Sequence, residues 1–164
     1  MSGSLLIRNR QRAVPLNTKS LRVITTTLLN KLFDVTDFDL AIYIVRAPEM
    51  ARLNEKYLQH TGSTDVITFD YGDSTSGTRR PLLCLHGEIF VCIDDAVAQA
   101  RAFRTSWQSE LARYIIHGVL HLRDFDDTRP AARRKMKRHE NRLLKEVARL
   151  FPLRKLAADS RLGV

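Results

Sequence analysis

Cysteine is scarce in this sequence: Cys84 and Cys92 are the two present, eight residues apart and in no C-x-x-C pattern. That excludes a disulfide scaffold and a four-thiolate zinc site, and leaves the pair as reduced, small hydrophobes. Long apolar runs are absent as well. The best candidates, Leu40 to Val45 and the histidine-interrupted run Tyr114 to Leu122, fall far short of the roughly 20 residues that cross a bilayer. Near the start of the chain, Leu5, Leu6 and Ile7 are followed by Arg8, Arg10 and Arg12, too short an apolar stretch and in the wrong order for a secretory signal. A cytoplasmic protein without membrane attachment is expected. Internal repeats, heptads, low-complexity blocks and linkers are missing too, so residues 1–164 read as one domain. Disorder is excluded by a hydrophobic content of 44%.

Acidic residues are missing from one part of the chain. Residues 1–31 carry six Lys and Arg and no Asp or Glu, a net +6; residues 32–121 are net −4 and residues 122–164 net +7, within a total of +9. Basic blocks at both ends suit a polyanion partner, nucleic acid first, because phosphate neutralisation supplies sequence-independent affinity. A solvated helix face rich in arginine is the competing reading.

What is present alternates between the two periods of regular structure. Ser4 to Gln11, Phe38 to Val45, Asp65 to Tyr71 and Leu82 to Ile93 read as strands, with Gly87 marking a bulge or a close backbone approach. Asn17 or Thr18 caps a first helix that carries Leu21, Ile24, Leu28, Leu29 and Leu32. Pro48 opens a second, on which Met50, Leu53, Tyr57 and Leu58 share a face, with the Tyr57 ring expected toward the core. Gly72 to Arg80 is a polar loop, and Asp94 or Asp95 caps a third helix that runs to about Phe103. Thr105 or Ser106 starts a fourth, with Leu111, Ile115, Gly118, Val119 and Leu122 on its core stripe, and Pro130 opens a long basic fifth. The class is α+β.

His117 and His121 lie four apart on the fourth helix and so share one face with Glu110, Arg113 and Tyr114. Two imidazoles one turn apart can bind one metal ion, and Asp124, Asp126 or Asp127 in the following turn can add a carboxylate. The pattern is H-x3-H-x5-D if Asp127 is that ligand. Partly buried histidines without metal, and acids that cap the next helix, are the plainer alternatives. Three protein ligands would leave a fourth position for water, as in catalytic zinc sites, and zinc lowers the pKa of such a water toward about 7. In that way His117 and His121 would act in catalysis through the metal. Gly118 stands where an H-E-x-x-H peptidase has its general base, which counts against peptide hydrolysis. His60, His86 and His139 do not join the pair by spacing.

The segment Glu110 to Leu122, ELARYIIHGVLHL, resembles the signature of the YbeY family of metal-dependent endoribonucleases that mature ribosomal RNA, in which H-G-x-L-H-L precedes G-Y-D-H. Leu53-Asn54, then Thr64 to Phe69 (TDVITF), then His86 to Val91 (HGEIFV) are similar to that family's L-N-x-x-[WY]-R, T-D-V-L-S-F and L-G-D-I-x-I elements, in the same order. The resemblance implies a zinc-hydrolase-like α+β fold, with a mixed sheet of about four strands against about five helices. It implies one zinc ion on His117, His121 and Asp127, no organic cofactor, and ribosomal RNA and the small ribosomal subunit as partners. The implied activity is endonucleolytic cleavage of single-stranded RNA in 16S rRNA maturation and ribosome quality control. Two positions depart from the pattern: Asp127 replaces the usual third histidine, and Leu58 replaces an arginine thought to serve RNA binding or catalysis. Leu58 favours the alternative of a ribosome-associated RNA-binding or assembly factor with a structural metal and little nuclease activity.

Overall fold

The structure, a computed structural model, describes residues 3–72 and 84–159. Four strands, β1 (Gly3–Asn9), β2 (Asp37–Val45), β3 (Val66–Asp70) and β4 (Cys84–Cys92), form one sheet in the order β1-β2-β4-β3. β1, β2 and β4 run parallel, and β3 pairs antiparallel with β4. Five helices accompany them: α1 (Thr18–Thr27), α2 (Ala47–Leu58), α3 (Ile93–Phe103), α4 (Trp107–Leu122) and α5 (Pro130–Leu150). The α+β architecture and its element count are those expected from the sequence.

Strand alternation sorts the sheet into two faces. Leu40, Ile42 and Ile44 of β2 lie beside Gly87, Ile89 and Val91 of β4 and are buried in one core with apolar residues of α1, α4 and α5. On the other face Met50 of α2 packs with Val45, Ile67, Phe90 and Cys92 in a smaller cluster. Both cysteines are free thiols. No helix among the described residues is long and apolar enough to cross a membrane.

Two glycines set how closely α4 lies on the sheet. A Cβ on Gly118 would stand 2.8 Å from Ile89 Cγ2, and one on Gly87 would stand 2.5 Å from the Phe69 carbonyl oxygen and 2.9 Å from Leu122 Cδ2. The ladder through Gly87 is unbroken on both sides, so close approach, not a bulge, accounts for that residue.

The local expectations met several corrections. Asn17 caps α1, but the helix gives way after Thr27 to a single π turn, Leu28–Leu32. Asp94 and Asp95 lie inside the first turn of α3 instead of capping it. Asp94 reaches across to α2, accepting from Ala47 N–H at 2.7 Å and pairing with Arg46 at 2.9 Å. Tyr57 does not face the core; it is half exposed and meets Phe69 edge-on. α5 takes no side-chain cap from the preceding acids. The structure adds a 3₁₀ turn, Leu153–Leu156; the Leu156 carbonyl accepts from Asn17 N–H at 2.8 Å, tying the C-terminal segment to the start of α1. Residues 73–83, which include most of the expected polar loop and the first two residues of the expected fourth strand, lie outside the described residues.

Candidate metal centre

α4 begins where Ser106 accepts from Ser109 N–H at 3.1 Å, an ordinary side-chain cap. Its core stripe is buried as expected, but so are Glu110 and Tyr114, which share the histidine side, because α3 and α5 enclose that side too. The helix ends in a reversal. Arg123 caps it, Asp124 takes a left-handed conformation (φ +66°), and Phe125 N–H returns to the Leu120 carbonyl at 3.0 Å. Asp and Asn tolerate that backbone region better than most residues. The reversal carries Asp127 back beside the histidines.

Three donor atoms converge there. His117 Nε2 and His121 Nε2 are 3.0 Å apart, and Asp127 Oδ2 lies 3.7 Å from the first and 3.5 Å from the second. Tetrahedral coordination at the usual zinc distances separates any two ligands by about 3.3 Å. The triangle has that size, so the donor set fits a single small divalent ion. Asp126 is otherwise engaged, accepting from Thr128 N–H at 2.9 Å and from the Thr128 hydroxyl at 2.8 Å, and Asp124 is exposed. Asp127 is thus the acid of this turn that stands with the imidazoles.

A second layer orients the first. Glu140 of α5, which is buried, sits 2.8 Å from His117 Nδ1; as the acceptor it fixes the proton on Nδ1 and leaves Nε2 bare toward the cluster. Arg113 holds Glu140 in turn at 3.6 Å and donates to Asn141 Oδ1 at 2.8 Å. Burial opposes protonation of His117, but the hydrogen bond and charge of Glu140, with Asp65 and Asp127 behind it, outweigh burial and raise its pKa. The negative field that favours a protonated ring also favours a cation at the same place. His121 is shifted the other way, by burial first and then by the nearby His117.

The cluster opens onto a cavity of about 580 Å³ whose walls include Asp65, Tyr114, Arg133 and Lys137. Burial, reinforced by Asp65, Glu110 and Asp95, pushes the Tyr114 phenol well above its ordinary pKa. Its hydroxyl is the one buried side-chain polar atom without a partner among the described residues. Sequence reasoning missed Glu140, although a signal existed. It is the only acid between Pro130 and Lys145 and falls in helical register with the buried Met136, Leu143 and Val147. His60, His86 and His139 stay apart from the cluster: His86 faces Asp39 at 3.7 Å and His139 meets Phe125 edge-on. Leu58 does not line the cavity.

Comparison with known proteins agrees with the motif. The family model described as Endoribonuclease YbeY matches residues 6–148. A relative named Endoribonuclease YbeY from Chlorobium luteolum is 39% identical over 98 residues, covering 60% of this chain and 66% of its own length, just under two thirds. One of the same name from Parabacteroides distasonis is 37% identical over 106 residues, 65% of this chain and 69% of its own. A third, from Alkaliphilus metalliredigens, is 27% identical over 90% of this chain and 97% of its own. The solution structure of a Thermotoga maritima protein superposes with a TM-score of 0.61 over 98% of this chain and 99% of that one, at 23% identity, a likeness of fold.

Proposed function

The chain belongs to the YbeY family of endoribonucleases, and from that premise we propose that it is a zinc-dependent enzyme that cuts single-stranded RNA in 16S rRNA maturation and ribosome quality control. Its partners on this reading are ribosomal RNA and the small ribosomal subunit, in the cytoplasm. The observation that carries the reading is the triangle of His117 Nε2, His121 Nε2 and Asp127 Oδ2, with sides of 3.0, 3.7 and 3.5 Å, set in a cavity.

His117, His121 and Asp127 are the proposed ligands of one zinc ion. When bound, such an ion supplies Lewis-acid polarisation of a phosphodiester and stabilises the charge that builds on its oxygens. The remaining work falls to the chain's own groups. Glu140 accepts from His117 and keeps that ring in one tautomer and one orientation. Arg113 balances the Glu140 charge and holds it in place. Asp127, an anion, leaves the site less positive than three imidazoles would.

The test is cleavage of a single-stranded RNA by the wild type and by His117→Ala, purified in parallel. Cleavage by the wild type with at least a hundredfold loss in the variant is expected. Equal degradation by both would mark the activity as contamination and leave the RNA-binding factor that Leu58 favours.

A further inference from the structure

Among the side chains that line the cavity outside the metal cluster are Phe103, Arg133 and Lys137. Phe103, the last residue of α3, is 69% exposed, more than any other large hydrophobic side chain among the described residues. Arg133 and Lys137 stand one turn apart on α5 and so on one side of it. Arg133 Nε donates to the Asp127 carbonyl oxygen at 3.2 Å, which fixes the guanidinium beside the metal cluster while its terminal nitrogens have no partner among the described residues. Lys137 has no hydrogen-bond or ion-pair partner among the described residues.

The carboxylates of the cavity are not what these cations serve. Glu140 is taken by His117 and Arg113, Asp127 lies against the two imidazoles, Glu110 accepts from the Thr105 hydroxyl at 2.7 Å, and Asp65 accepts from Val66 N–H at 2.8 Å. Two unspent cations on one helix and an unspent aromatic ring on another thus share a cavity with the metal cluster. A ligand that meets all three needs anionic groups repeated along a chain and flat apolar faces between them. Single-stranded nucleic acid has that form, whereas a duplex keeps its bases stacked inside and offers nothing to the ring. Leu58 brings no charge to the cavity, and among the described residues its cations come from α4 and α5.

We propose that Arg133 and Lys137 hold consecutive phosphates of the RNA strand and that Phe103 stacks on a base beside the bond to be cut. This assignment rests on the nuclease reading and names the groups that hold its substrate.

The experiment measures binding of a fluorescent 2′-O-methyl oligoribonucleotide, verified intact afterwards, to zinc-loaded protein across a salt series. It also records KM and kcat on unmodified RNA and the zinc content of each variant. Lys137→Ala is expected to reduce the slope of log affinity against log salt by about 0.7, the loss of one phosphate contact on a single strand, and to raise KM. Phe103→Ala is expected to weaken binding about five- to a hundredfold, Phe103→Trp to restore it, and an oligomer with abasic sites to bind the wild type and Phe103→Ala equally. Zinc content stays at the wild-type value throughout. Wild-type affinity and slope in both alanine variants, while the wild type cuts RNA, would overturn the assignment and leave the nuclease reading intact. Reduced zinc in Lys137→Ala would also overturn it, by making that residue structural. A wild type that neither binds nor cuts RNA would remove both.

Discussion

Glu140 decides whether the histidine pair is an organised site or two neighbouring rings. It lies buried in a helix otherwise dense with Lys and Arg, and its carboxylate reaches His117 Nδ1 at 2.8 Å. Glu140→Gln keeps the shape but removes the charge, and zinc affinity measured by chelator competition is expected to fall about 10- to 100-fold. Unchanged affinity would reduce the contact to packing. Asp127→Ala is expected to cut zinc occupancy by at least about tenfold by elemental analysis. Full occupancy would instead send the third-ligand role back to Asp124 or Asp126. At this scale the sequence was informative wherever chemistry is local. His117 and His121 were legible from their spacing, and the choice of Asp127 came from the resemblance. Asp127, Asp124 and Asp126 could not be separated by spacing, because the left-handed backbone at Asp124 decides which acid swings back. Glu140 comes from 23 residues beyond His117, so only packing brings it there.

The elements of the site are held by how closely α4 lies on β4. Gly118 faces Ile89, and Gly87 lies under Leu122. Gly118→Ala would press a methyl group into a fully buried isoleucine, and overpacking of this kind costs about 1–3 kcal/mol. A lower urea midpoint with unchanged m-value is the expected result; a wild-type midpoint would mean that Ile89 re-packs without strain. The apolar stripes of α1 and α4 make those helices legible in the sequence. The error lay in what the far side of α4 meets. Glu110 and Tyr114 fall on its polar side by periodicity, yet both are buried, since α3 and α5 fold over that side to make the cavity. A helical period tells which residues share a face and not what will cover it. The same limit explains Asp94, whose partner Arg46 lies 48 residues away across the junction of two helices.

For the whole molecule, the uneven charge takes on a more specific meaning. None of the six basic residues in residues 1–31 lines the cavity; Arg10, for one, pairs with Glu49 at 2.7 Å and lies over the Tyr43 ring. The C-terminal block does reach it, through Arg133 and Lys137. Because zinc would bind the folded site and not the unfolded chain, protein loaded at a hundred times its dissociation constant should gain about 2.7 kcal/mol of stability. That gain should appear as a higher melting temperature that chelator reverses and that Asp127→Ala lacks. An equal rise in Asp127→Ala would indicate binding elsewhere.

One metal cluster is tied here to one activity, and a single experiment follows both in the same samples. Zinc stoichiometry and the rate of single-stranded RNA cleavage are recorded for the wild type, for the wild type after chelation and zinc return, and for Asp127→Ala. The prediction is that rate and occupancy fall together on chelation, return together with zinc, and are both low in Asp127→Ala. Cleavage that continues at the wild-type rate after the metal has gone would contradict it.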